Sequence, residues 1–307
     1  MREFTIDSRD MKTKLACYAW EPKGNPRAIL VVVHGMVDHA LKYSEMAEYL
    51  MSQGILVAAL DLLGHGNSAK TEEDFGYFCE QDPATVIVRD VHRLKKTIEA
   101  EHPGVPVYVM GHSMGSFIVR NYMERYGTGI KGVILQGGNA TPAIQGKMGK
   151  FFTNVIAVFH GWRYRSMFCT AITLGSYVKA FPEEGNTGWL AKKKELIAEY
   201  DGDPKCDFIF TLNGYNALGE LTLRAGNKKL IQNIPKTLPI FIISGADDPV
   251  GEMGRGVQRM YELYKNMGFE TVKLDIRPGD RHELHHEEDR FKVFEEIKAF
   301  ILKEYKE

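Results

Sequence analysis

Val107-Tyr108-Val109-Met110-Gly111-His112-Ser113-Met114-Gly115-Ser116 is a short strand-forming run that breaks into Gly-His-Ser-Met-Gly and leads on into a helix. The pentapeptide fits the G-x-S-x-G elbow, a tight strand-to-helix turn that lifts one serine hydroxyl into the open. Glycine two residues either side of Ser113 has a steric reason. At so sharp a corner a side chain at 111 or 115 collides with neighbouring backbone, and glycine has none. Downstream, Met114, Phe117, Ile118, Tyr122, Met123 and Tyr126 recur at three- and four-residue spacing, which predicts an amphipathic helix. Glycine and serine are common, so the pentapeptide alone carries little; its place between a strand and such a helix gives it weight.

Working outward, the elbow sits in a rhythm of strands and helices. Phe4–Ile6 and Leu15–Trp20 read as an opening hairpin, and Ala28-Ile29-Leu30-Val31-Val32-Val33 runs apolar into His34-Gly35. Unbroken apolar runs of this kind suit strands covered on both faces, as in a parallel sheet. A helix over Lys42–Gln53, a strand over Ile55–Leu60, a Gly-rich loop Gly64-His65-Gly66-Asn67-Ser68 and a helix over Ala84–Glu101 lead up to the elbow. Beyond it, Gly132–Gln136 is one more strand. The rhythm then fails from Gly138 to Ile234 and resumes at Leu238-Pro239-Ile240-Phe241-Ile242-Ile243-Ser244. A helix over Val257–Asn266, a strand over Val272–Ile276 and a helix carrying Phe291, Phe294, Ile297 and Ile301 follow. This alternation signals an α/β fold. The gap reads as an inserted helical cap, 138–234, between two core segments, 1–137 and 235–307, with a helix-like patch around Leu190–Tyr200. Its first part, Asn139–Pro182, holds Lys147, Lys150, Arg163, Arg165 and Lys179 and no acidic residue.

With 307 residues the chain can bury a substantial core. Its 39 Lys and Arg balance 40 Asp and Glu without forming a basic block, which argues against electrostatic nucleic-acid binding. The charged start Met1–Asp7 lacks an apolar signal core, and no apolar run approaches a bilayer span. Cys17, Cys79, Cys169 and Cys206 are scattered without metal-ligand spacing and read as reduced, buried thiols, so a cytoplasmic location is expected.

A serine hydroxyl is a weak nucleophile at neutral pH. It needs a base within hydrogen-bond reach and a carboxylate to orient that base. On an elbow scaffold the chain order is serine, acid, histidine. The acid candidates follow a strand in Ser244-Gly245-Ala246-Asp247-Asp248-Pro249, and the histidine follows the next strand in Gly279-Asp280-Arg281-His282-Glu283. One helix and one strand separate them, so both fall in loops at the carboxyl edge of the sheet, beside Ser113. Either Asp247 or Asp248 fits this reading. Donors to the oxyanion of a tetrahedral intermediate are expected from backbone: the N–H of Met114 and that of Met36, in the loop after His34-Gly35.

Together with His34-Gly35-Met36-Val37-Asp38-His39, Asp61-Leu62-Leu63-Gly64-His65-Gly66-Asn67-Ser68 and Gly245–Val250, these motifs resemble α/β-hydrolases of the monoacylglycerol lipase and lysophospholipase-like group. The resemblance runs over nearly the whole chain and is weakest in the cap, where Leu174–Tyr177 and Asp203–Cys206 resemble bacterial members. It implies a mostly parallel eight-stranded sheet flanked by helices, with the nucleophile on Ser113 and the base on His282. The family's G-x-x-D pattern selects Asp248 as the acid. It also places a loop histidine near the entrance on His39, a candidate substrate contact, while His34 orients the oxyanion loop and His65 is structural.

His282-Glu283-Leu284-His285-His286 satisfies H-E-x-x-H, a zinc-protease pattern whose two histidines must share one helix face. Following Pro278-Gly279, it is expected in a loop entering a helix, with His285 and His286 solvated at the helix start, and no metal or organic cofactor is implied. The resulting expectation is a serine ester hydrolase acting on lipid-like esters, most simply monoacylglycerol or lysophospholipid, with transient membrane-surface contact through the cap. A small-molecule, aryl or cinnamoyl carboxylesterase and a peptidase share the same chemistry. A non-catalytic binding protein on this scaffold and a zinc protease complete the alternatives.

Overall fold

The computed structural model of the chain describes residues 1–193, 195 and 202–303. Among them, eight strands form a single sheet: β1 (Arg2–Asp7), β2 (Lys14–Trp20), β3 (Ala28–Val33), β4 (Ile55–Leu60), β5 (Val107–His112), β6 (Gly132–Gln136), β7 (Ile240–Gly245) and β8 (Val272–Arg277). Their spatial order is β1-β2-β4-β3-β5-β6-β7-β8. β2 runs antiparallel to both of its neighbours, and every pairing from β4 to β8 is parallel.

The apolar runs explain the layering. Successive strand side chains point to opposite faces, so Ile29, Val31 and Val33 of β3 join one core and Leu30 and Val32 the other. The first core is closed by α2 (Pro83–Glu101), α3 (Met114–Tyr126) and a helix over Arg255–Asn266; the second by α1 (Ser44–Ser52) and a helix over Arg290–Leu302. β3, β4, β5, β6 and β7 are buried throughout, whereas β8, at the edge, is half-buried along its length.

Register aligns the strand ends. Val33 pairs with Gly111, His112 with Gln136, Gln136 with Ile243, and Gly245 with Arg277. The loops after β3, β5, β7 and β8 therefore leave the sheet at one level, where ligands of open parallel sheets bind.

Between β6 and β7 the described residues hold α4 (Ala143–His160), α5 (Met167–Val178) and α6 (Leu212–Ala225), along with shorter turns. α6 packs against α4 on one side and against α2 and α3 on the other, so the end of the insertion is continuous with the core. Asn121 Nδ2 donates to Leu221 O (2.9 Å) and Arg120 Nη2 to Ala225 O (2.7 Å) across that contact. The expected helix around Leu190–Tyr200 falls mostly outside the described residues; Leu190 itself lies in a turn. No described helix is long and apolar enough to cross a membrane.

Candidate active site

The elbow has the backbone its motif demands. Ser113 sits at φ 53°, ψ −120°, a region that non-glycine residues rarely occupy and that costs about 1–3 kcal/mol. Surrounding contacts hold it there. Its N–H donates to Gln136 O (2.9 Å), and its carbonyl accepts from Ser116 Oγ (2.7 Å). A β-carbon on Gly111 would overlap the carbonyl of Gly115, and one on Gly115 would overlap the carbonyl of Val33. The two glycines let α3 start directly against β3 and β5.

His282 and Asp248 meet across the ends of β7 and β8. His282 Nδ1 lies 3.0 Å from Asp248 Oδ2, and that carboxylate also accepts from Ser244 Oγ (3.1 Å) and from the N–H of Val250 (2.8 Å). A carboxylate only accepts, so Nδ1 carries the proton that faces Asp248 and Nε2 is the ring nitrogen turned from it. Asp248 is wholly buried, whereas Asp247 is exposed with its N–H tied to Asp280 O. Gly245 has no room for a β-carbon because the carbonyls of Asp280 and Arg281 press on it, which brings the acid loop and the histidine loop together.

Ser113 and His282 line the same cavity, but no hydrogen bond joins Oγ to the ring among the described residues. Catalytic hydrogen bonds are commonly long without substrate and tighten in its presence. Met36 and Met114 line this cavity as well, and among the described residues neither N–H donates to an acceptor. The Met36 loop is shaped by Asp38, whose carboxylate accepts from the N–H of Gly35 (3.0 Å), the N–H of His39 (2.7 Å) and the Tyr43 hydroxyl (2.8 Å). His34, kept neutral by burial, braces it from below: Nδ1 is 2.8 Å from Gly35 O, and Nε2 accepts from the N–H of Leu62 (3.0 Å).

The cavity encloses about 440 Å³, in the range of small-ligand sites, and its walls include Phe117, Leu174, Tyr177, Trp189, Phe208 and Leu218. A larger cavity of about 660 Å³, bordered by Arg9, Lys70, Asp82 and Arg89, reaches neither Ser113 nor His282. Size alone does not mark the site.

The profile of the serine aminopeptidase S33 family (Hydrolase_4) matches residues 24–289. The chain belongs to this family. Among relatives, it is 27% identical to the monoacylglycerol lipase of Mycolicibacterium smegmatis, over 92% of this chain and 91% of that one. It is also 27% identical to human monoglyceride lipase, over 94% and 86%. Its fold superposes on a thermostable carboxyl esterase from Bacillus coagulans with a TM-score of 0.90 at 26% identity, covering 98% and 97% of the two chains. As an S33 hydrolase the chain is a serine hydrolase of the monoglyceride-lipase-like group, and the fold anticipated from its motifs is the one it has.

Two features of this S33 hydrolase depart from the sequence reading. His39 is buried, holds Asp203 Oδ2 at 2.7 Å through Nε2, and is not among the residues lining the cavity. His285 and His286 are not solvated at a helix start. They lie in a single 3₁₀ turn, Leu284–His286; His285 is buried, stacks on Tyr43 (4.5 Å between centroids) and bonds Gln136 Nε2 through Nδ1 (2.9 Å). Burial holds its imidazole well below the ordinary histidine range, so it is neutral. The H-E-x-x-H pattern therefore has no helix to align its outer histidines. His282 faces Asp248, while His286 bonds Glu283 Oε2 (2.8 Å) and Lys42 O (3.1 Å).

The sequence reading also missed a buried polar layer behind the site. Lys42 Nζ pairs with Glu283 Oε1 at 3.1 Å, and Tyr43 bridges Asp38 to His112 Nδ1 (2.9 Å). Burial works against charge on Glu283, but Lys42 and His286 outweigh it and hold the carboxyl well below its ordinary range. Lys42 and Glu283 are 241 residues apart, and no local pattern links them.

Proposed function

We propose that this chain hydrolyses carboxylic esters of a single long acyl chain, with monoacylglycerol or lysophospholipid as substrate. The observation that carries the reading is the His282–Asp248 pair, at 3.0 Å, facing the apolar cavity that the strained Ser113 also lines. Ser113 Oγ attacks the ester carbonyl while His282 Nε2 takes its proton and Asp248 steadies the imidazolium. The oxyanion accepts from the N–H groups of Met36 and Met114. Collapse expels the alcohol, which takes the proton from His282 and leaves an acyl group on Ser113. A water deprotonated by His282 then releases the fatty acid and restores the serine.

Residues 138–234 act as the cap over the core formed by 1–137 and 235–307. Phe151, Val158 and Phe159 on α4 and Met167, Phe168 and Ile172 on α5 are exposed, and the stretch from 139 to 182 holds five basic and no acidic side chains. Such a face suits transient contact with an anionic lipid surface. The four buried free thiols suit a cytoplasmic setting.

A second reading, a carboxylesterase of small esters, is favoured by the close superposition on the Bacillus coagulans enzyme. A rate profile over p-nitrophenyl esters from acetate to palmitate, with monoacylglycerol and lysophosphatidylcholine alongside, separates the two. The lipid reading expects rates rising beyond butyrate and turnover of at least one lipid substrate. A maximum at acetate with neither lipid hydrolysed overturns it.

A further inference from the structure

His39 on one side and Asp203 with Cys206 on the other come from two distant parts of the chain, and the hydrolytic mechanism uses none of them. His39 ends the loop after β3, while Asp203 caps and Cys206 closes a single turn, Pro204–Cys206. A ring nitrogen of His39, a carboxylate oxygen of Asp203 and Sγ of Cys206 all lie within 4.8 Å of one another. Imidazole nitrogen, carboxylate oxygen and thiolate sulfur are the donors tetrahedral zinc takes, and three protein ligands leave a fourth position for water. The surroundings favour a dication. The carboxylates of Asp38, Asp203 and Glu283 all act on Cys206, against the ammonium groups of Lys42 on Cys206 and Lys205 on Asp203. There is also a way in: His39 and Cys206 are buried, but the Asp203 side chain is 31% exposed. Among the described residues the other cluster of metal-capable side chains, Glu283, His285 and His286, is already committed to Lys42, Gln136 and one another.

We propose that His39, Asp203 and Cys206 form a zinc-binding site whose occupation inhibits the enzyme. Binding exchanges protons and involves no redox step. The Cys206 thiol releases its proton to solvent and ligates as thiolate. His39 ligates through Nε2, its ring proton moving to Nδ1, and its contact with Asp203 is replaced by two bonds to one ion. The inhibitory consequence rests on the proposed reading of the cavity, since Cys206 lines it and His39 adjoins Asp38, which shapes the Met36 loop. Zinc ties the turn at 204–206 to that loop.

Cobalt titration of the full chain tests the site without any assay of hydrolysis. One equivalent of Co²⁺ should give the intense visible bands of a tetrahedral ion and a thiolate-to-cobalt band in the near ultraviolet, both displaced by Zn²⁺. C206S should lose the thiolate band. C206S and D203N should each weaken zinc binding at least about tenfold, since even outer partners of a metal site are worth that much. Asp203 is partly exposed, so D203N keeps the test decisive if C206S folds poorly. Absence of a thiolate band, or unchanged zinc affinity in both variants, overturns the site. In parallel, zinc should inhibit hydrolysis of p-nitrophenyl butyrate by the unmodified chain and need at least about tenfold more ion against C206S or D203N. Equal zinc sensitivity in all three proteins overturns the inhibitory role. If no ester is turned over, the functional reading fails, and the cobalt spectrum still decides the metal site.

Discussion

The elbow and the outer part of the insertion, residues 149–185, use glycine in opposite ways. Around Ser113, Gly111, Gly115 and Gly245 sit where a β-carbon would strike backbone carbonyls. In the outer part of the insertion, Gly149, Gly161, Gly175 and Gly185 have nothing within 4 Å of where a β-carbon would go, whereas Gly146, Gly214 and Gly219, where α4 and α6 pack, are confined as well. The proposed reacting groups are held by backbone packed on backbone, whereas the outer layer of the insertion leaves large apolar side chains in the open, Val158 and Phe159 each at 80%. The same layer supplies much of the cavity wall. On the proposed reading, chemistry sits where the backbone leaves no room for a side chain, and substrate choice where the outer insertion leaves room.

Substitutions can break that contrast, beginning with the largest effect. Ser113→Ala should lower kcat for ester hydrolysis on the order of 10⁶-fold. Met36→Ala keeps the N–H and should retain most turnover; steady-state kinetics on one purified series checks both. Asp248→Asn should cost about 10⁴-fold by leaving His282 in the wrong tautomer. The same change at exposed Asp247 should leave the rate within about twofold, and a comparable loss at both positions would remove the distinction between them.

Stability sharpens the comparison. Gly115→Ala should destabilise by roughly 3 kcal/mol or more, through forced backbone movement beside β3. Gly175→Ala, inside α5 with open space around it, should stabilise by about 0.5–1 kcal/mol. Urea unfolding of the two variants reads the difference directly. The core also carries a titration that the acid-free stretch 139–182 cannot. Burial raises the Glu124 carboxyl on α3 to about 8, against the pull of Arg120 and Arg224, and its Oε1 is unpartnered. The folded state therefore holds a proton that the unfolded state has released, and stability falls as pH rises from about 4.5 to about 8. Glu124→Gln should remove that slope and gain about 1–3 kcal/mol at pH 9, with little change at pH 4.5. The smallest effect on folding belongs to Val158→Ser with Phe159→Ser. Stability should stay within about 0.5 kcal/mol, while retention on anionic vesicles falls several-fold.

Much of the core was legible because its signals are local. The limits of β6 and the start of α3 follow from Gly132–Gln136 and from the elbow, and the glycines at 111 and 115 were anticipated as steric necessities. Distant partners were not legible. α1 was expected from Lys42 but begins at Ser44 after a 3₁₀ turn, because the N–H of Ala40 is taken by Asp61 Oδ1 (2.8 Å) and that of His39 by Asp38. His285 was expected in solvent from its place at the start of the last helix, and Tyr43 and Gln136, which give it a buried home, lie far back in the chain. His39 was read from its position in a motif. Its contact with Asp203, 164 residues on, depends on how the insertion returns to the core.

The central claim is that the hydroxyl at 113 is the one nucleophile activated by the imidazole at 282. Peptide mapping by mass spectrometry after treatment with a fluorophosphonate probe tests it most directly. The account predicts one adduct per chain, on the peptide bearing Ser113, abolished by Ser113→Ala and strongly slowed by Asp248→Asn. An ester-hydrolysing protein that carries the adduct on another residue, or labels equally well without Ser113, would contradict it.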